Sequence, residues 1–399
     1  VVQTLRRALA LTAAALLVSC GSDNTDNAPK SAPTGFSVTA GDSSVVVTWD
    51  MEPGLTYWIF SAAAPSITRD NFNQFAGARI TQPATSPQLI TGLVNGTTYS
   101  FLINATKSGS AAGPATTSIA AVPRLAGNTW TAGTPLGADL NAIGFGVAKY
   151  IAVGAGGAIF TRGTGLADDW TAATSGVTAA LNGVAAGGLL VVVGDGGTLI
   201  TSSDAVTWTA QTSGTTARLN SVLFAQFAYV AVGDNGTILR STDATTWTAV
   251  TSGTTANLYA IAVLGSRMLA AGANGTLLSS TDAGLTWTPV TSGTTNTLRG
   301  LAATSNLYVA VGDAGTILTS TDLAAWTAAT SPTTQNLLRV TFGTQLVAVG
   351  TGGTALLSTD GLTWTAANTG TTADLRGLLH GATLNYYAVG AGGVVLEAR

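Results

Sequence analysis

From residue 128 onward, apolar and polar positions alternate in short runs separated by Gly-rich turns, the pattern of half-buried β-strands. The runs repeat as a unit. One copy places strands at 219–224, 229–233, 237–241 and 246–250. The turn 233–236 (Gly-Asp-Asn-Gly) joins the second run to the third and requires positive φ. Trp130, Trp170, Trp208, Trp247, Trp287, Trp326 and Trp364 mark the repeat, at spacings of 40, 38, 39, 40, 39 and 38. A period near 39 with four antiparallel strands per unit predicts the blades of a β-propeller. Only one strand precedes residue 140, around Trp130, and only three follow residue 375. The two remainders make one blade. The expectation is therefore seven blades over 128–399, with 128–134 paired against 393–398 so that no sheet edge is left open. Each Trp is expected to pack between blades.

Residues 31–123 carry further alternating runs at 36–38, 45–49, 56–60, 88–90, 99–103 and 118–120, which predict a β-sandwich. The fold class expected for the chain is all-β. Ala32-Pro33, Trp49 and the run from Leu93 to Tyr99 resemble features of fibronectin type III domains. The resemblance implies a spacer or adhesion module, with the Tyr99 ring buried and its hydroxyl bonded to backbone. Segment 62–80 is longer than the usual central connection; it either elaborates the surface or binds something.

Ahead of the sandwich, Arg6 and Arg7 precede an apolar run, Ala8 to Val18, too short to span a bilayer as a mature helix. The run ends in Leu17-Val18-Ser19-Cys20, which resembles the lipobox of bacterial lipoproteins. That resemblance implies a signal peptide over 1–19, acylation of Cys20, and a membrane anchor followed by a polar tether over 20–30. Cys20 is the only Cys, so no disulfide is expected. Gly21 in place of an Asp implies the outer membrane, facing either the periplasm or the exterior. The chain enters the repeat through Trp130, on the side of the turns that precede each Trp. The opposite face is expected to point away from the membrane.

Composition narrows the partners. Charged residues make up 9%, Lys occurs three times, and the formal net charge is −3, so there is no basic footprint for nucleic acid. No His/Cys cluster suggests a metal, and no cofactor is expected. The chain is expected to be a monomer.

Residues 280–287 read S-x-D-x-G-x-T-W, the Asp-box pattern, and shortened versions stand at 202–208, 241–247, 320–326 and 358–364. The stretch 161–170 departs from it. In such a turn the Asp accepts backbone hydrogen bonds and pins the hairpin. With these turns the repeat resembles BNR/Asp-box propellers, particularly the seven-bladed photosystem II stability and assembly factors. The resemblance implies a non-catalytic propeller that holds protein segments, although the wider family also contains sialidases.

The residue after the repeat Leu at the start of each first strand varies: Asn141, Asn182, Asn220, Tyr259, Arg299, Arg339 and Arg376. These are expected to ring the mouth of the central channel. Either the Arg arc grips a carboxylate of a protein segment or glycan, or it pairs with turn carboxylates such as Asp195, Asp234 and Asp313 and completes the rim. The function expected is non-catalytic binding in the cell envelope, assisting assembly of another protein. A sialidase-like enzyme would draw on the three Arg and Tyr259, but Glu52 and Glu397 are the only Glu. A surface adhesin is the third reading.

Overall fold

The computed structural model describes residues 28–107, 112–166, 168–381 and 384–399. Cys20, the apolar run before it and the tether up to Asn27 lie outside the described residues. The described chain is all-β and divides into two compact units between Arg124 and Leu125.

The first unit is a two-sheet sandwich. Ser37–Gly41, Ser44–Thr48 and Gln88–Thr91 form one antiparallel sheet. The other has the order Arg79–Ala84, Leu55–Ala62, Tyr99–Lys107, Ile119–Ala121. Period-two alternation sends Val45 and Val47 inward from one sheet and Tyr57, Ile59, Phe101 and Ile103 inward from the other, around Trp49. The Tyr99 ring is buried, and its hydroxyl accepts the Val94 N–H at 3.3 Å. Strand Arg79–Ala84 was not legible in the sequence, where 62–80 reads as one long connection. Pro83 suppresses the strand pattern there, and an edge strand is where a Pro can be accommodated. Ala64, Ile67 and Phe72 fold back onto Phe60 and Leu102 in a second small core, so much of the segment covers a sheet face.

The second unit contains seven four-stranded antiparallel sheets among the described residues. Six are built from consecutive strands, over 140–173, 181–210, 219–250, 258–290, 298–328 and 337–367. The seventh joins Leu375–His380, Tyr386–Gly390 and Val395–Ala398 to the early strand Trp130–Ala132. Its register pairs Ala132 with Leu396, Thr131 with Glu397 and Trp130 with Ala398. Gly133 N–H to Val395 O and Leu136 N–H to Gly393 O, both 2.9 Å, extend the seam. The first strands lie side by side in sequence order, and Leu375–His380 adjoins Leu140–Gly146.

Apolar clusters fill the spaces between neighbouring sheets; Val230 and Val232, for example, meet Leu258 and Ile261. The turn between second and third strands repeats a Gly that admits no side chain. At Gly236 (φ 67) a Cβ would sit 1.9 Å from the Thr254 carbonyl oxygen. The tryptophans pack into the clusters between neighbouring sheets, to different depths. Trp287 and Trp364 are buried, whereas Trp130, Trp170, Trp208, Trp247 and Trp326 are only half-buried at cluster edges. Each sits at the outermost strand, where one neighbouring sheet covers the ring.

The Ser-x-Asp turns are pinned by their carboxylates. Asp243 Oδ1 accepts the N–H groups of Thr245 (2.8 Å) and Thr246 (2.7 Å), while Ser241 Oγ accepts the Ala244 N–H at 2.9 Å. Backbone N–H donors hold Asp204 down at about 2, and the Thr286 hydroxyl and N–H do the same for Asp282. The divergent turn at 161–170 uses other contacts: Asp168 Oδ2 accepts the Gly165 N–H, and Arg162 Nε donates to the Asp168 carbonyl.

Candidate functional site

The first strands begin around a cavity of about 190 Å³. It is lined by Asn141, Asn182, Asn220, Tyr259, Arg299, Arg339 and Arg376, together with Arg218 and Leu338. All seven residues picked from the repeat therefore share one concavity. Its lining is rich in donors, and no carboxylate belongs to it. Among the described residues, no group of three His, Cys, Asp or Glu converges as a metal would need.

The Asn arc is committed to structure. Asn182 Nδ2 donates to Asp195 Oδ1 (2.7 Å) and to the Leu219 carbonyl (3.1 Å). Asn220 repeats the arrangement one sheet on, with Asp234 Oδ1 and the Leu258 carbonyl both at 2.9 Å. Asn141 Nδ2 reaches the Leu181 carbonyl at 3.0 Å. Each amide ties its sheet to the next.

Two of the three expected Arg are neutralised. Arg299 pairs with Asp313 through two parallel contacts, and Asp313 raises its pKa. Its guanidinium also lies 5.1 Å from the centroid of the Tyr259 ring. Arg376 donates to Asp139 Oδ2 at 3.0 Å. Asp139 takes the Gly392 N–H on its other oxygen, and these two contacts hold its carboxyl below the ordinary range. Arg218, which precedes the repeat Leu and so escaped the sequence reading, pairs with Asp195 at 3.0 Å.

Arg339 differs in place and partners. In strand register, the repeat Leu of the sixth sheet is Leu337, which pairs with Gly350 as Leu298 pairs with Gly312. Leu338 therefore holds the ring position assigned to Arg339, and Arg339 sits one residue further. The equivalent residues are Ala142, Gly183, Ser221, Ala260, Gly300 and Gly377. A guanidinium thus stands where the other six repeats hold a side chain no larger than Ser. Its Nη1 donates to the carbonyls of Leu338 (2.8 Å) and Arg299 (3.3 Å). Among the described residues no carboxylate pairs with it. Burial, and then the Arg299 charge, pull its pKa down to about 10. The Leu-to-Gly spacing at the second-strand turn could have revealed this register, because the other repeats all keep 13 to 15 residues and only Leu337 keeps it here.

The chain matches no family model and no curated protein. Among solved structures it is similar to YCF48 bound to D1 peptide, at 17% identity and TM-score 0.57, over 67% of this chain and 94% of that one. YCF48 from Cyanidioschyzon merolae gives 17% and 0.56, over 67% and 98%. The WD40 propeller domain of Doa1 gives 11% and 0.57, over 68% and 96%. At these identities the likeness shows the fold alone: the repeated four-stranded sheets are those of a β-propeller.

Proposed function

We propose that this chain is a non-catalytic, lipid-anchored protein of the bacterial cell envelope. Cys20 carries the anchor, a fibronectin type III-like sandwich links it to the propeller, and the propeller, closed, seven-bladed and of the Asp-box kind, binds a protein segment through a carboxylate. Seven four-stranded sheets in one unit and the pairing of Trp130–Ala132 with Leu396–Ala398 support the closed ring. The observation that carries the binding role is Arg339, a cation in a donor-lined cavity that pairs with no carboxylate among the described residues. An unneutralised, partly desolvated guanidinium is a standing cost to the fold, and an incoming carboxylate removes it. One structure that the chain resembles is bound to a peptide, which favours a protein segment over a glycan.

Photo-crosslinking in intact cells tests this, with p-benzoylphenylalanine in place of Leu338 at the cavity wall. A discrete protein adduct is expected, reduced at least tenfold by Arg339→Ala and not by Arg267→Ala. An adduct indifferent to Arg339 would remove the mouth from the reading.

A further inference from the structure

The propeller unit keeps its large exposed apolar side chains at one end. Among the described residues, all nine large ones lie at the far ends of the first strands, on the turns that follow them, or on the Ser-x-Asp turns, away from the Arg-bearing cavity. Three of them sit at left-handed backbone positions: Val147 (φ 46), Phe227 (φ 60) and Leu384 (φ 57). A turn tip of this kind favours Gly, Asn or Asp, and a β-branched or bulky residue there is strained. Phe227 is 88% exposed. Neither solubility nor turn geometry accounts for an apolar residue at such a tip, whereas contact with an apolar surface does.

The layout decides what that surface is. Phe145 and Val147 belong to the first sheet, Phe227 to the third, Phe342 to the sixth and Leu384 to the seventh. The tips are spread over sheets on different sides of the array, so one peptide segment meets only some of them and a flat, extended partner meets all. The chain also enters the unit at this end: Trp130 pairs with Ala398, and the buried Ala126 gives its carbonyl to Gln345 Nε2 at 2.7 Å. The same end carries Asp204, Asp243, Asp282, Asp322 and Asp360, all held ionised by hydrogen bonds from their own turns. Five fixed carboxylates repel an anionic surface.

We infer that this end of the propeller lies on a neutral, zwitterionic lipid surface, with the turn tips entering the headgroup region and the Arg cavity facing outward. The inference deepens the envelope reading above and is independent of what the cavity binds.

The test uses the full chain with Cys20→Ser, which leaves a single introduced thiol for an NBD fluorophore. The probe stands at Phe227→Cys or, as control, at Asn274→Cys in a turn at the cavity end. Phosphatidylcholine vesicles with nitroxide-labelled acyl chains are expected to quench position 227 at least threefold more than 274. Replacing one third of the lipid with phosphatidylglycerol should weaken the effect, Phe145→Ser/Phe342→Ser should abolish it, and Arg339→Ala should leave it unchanged. Equal quenching at the two positions overturns the inference. So does NBD shielding that rises with protein concentration without vesicles, which would mean a second copy covers the face. The mass of Cys20 in the natural chain reports acylation separately, so failure of the anchor and failure of the docking face are distinguishable.

Discussion

Single residues in this protein divide by whether their charge is answered within the fold. The turn carboxylates are answered. Asp204 and Asp282 titrate near 2, against about 3.9 in an unfolded chain, so they favour the folded state above pH ~4. That contribution is lost as the pH falls from about 4 to about 2. Urea unfolding across this window should show stability declining in the parent chain. Asp204→Asn/Asp282→Asn should be less stable at pH 5 and should decline less steeply; parallel curves would refute the assignment. Arg339 is the opposite case. Its cation is partly desolvated beside Arg299 and pairs with no carboxylate among the described residues, so Arg339→Met should be neutral or stabilising by about 1–2 kcal/mol in equilibrium unfolding. A clear loss of stability would mean that the guanidinium serves the fold instead of a ligand.

At the scale of the element, the short fourth strand and its preceding turn act together. Trp364 is 4% exposed, packs with Val309, Val311 and Leu346, and donates its indole N–H to the Gly361 carbonyl at 2.9 Å. Truncating it to Ala removes a filled site and a hydrogen bond and should cost about 3–5 kcal/mol. Trp208 is half-buried at its cluster edge, and its Ala variant should cost about 1–2 kcal/mol, since less of the ring leaves water. Paired denaturation curves decide this, and equal costs would contradict the burial pattern. The same accounting explains the 62–80 segment. Its apolar residues form a local core on Phe60 and Leu102, so it behaves as part of the sandwich.

For the whole molecule, the decisive element is the seam between the two chain ends of the propeller unit. Trp130–Ala132 completes the last sheet, and across the junction of first and last sheets Asp139 receives both Arg376 and the Gly392 N–H. Thr131 and Glu397 are direct cross-strand partners, at a separation that suits a disulfide. In a Cys20→Ser background, Thr131→Cys/Glu397→Cys should oxidise readily. The bond closes a very long loop and should add on the order of 4 kcal/mol to unfolding resistance. Failure to form would show that the ends do not meet. The propeller unit has two unlike ends, one lined with donors and one bearing apolar tips among fixed carboxylates.

The sequence by itself determined the strands of the propeller unit, their repeat and the complementary remainders. Period-two alternation, turn glycines and a regular Trp spacing are local signals, each read within a few residues. It also picked seven of the nine residues that line the cavity, six of them because a repeat places equivalent positions at equivalent depths, and it missed Arg218 and Leu338. What only the tertiary structure decided was which charges remain open. Arg299 and Arg376 look the same as Arg339 along the chain, but their acids arrive from another strand or another sheet. The one-residue shift that puts Arg339 among positions otherwise held by Gly, Ala and Ser is a matter of pairing register. The apolar end was hidden for the same reason: Phe145 and Phe342 lie at strand ends and Phe227 in a turn, and nothing local to each shows that the sheets leave all three uncovered at one end.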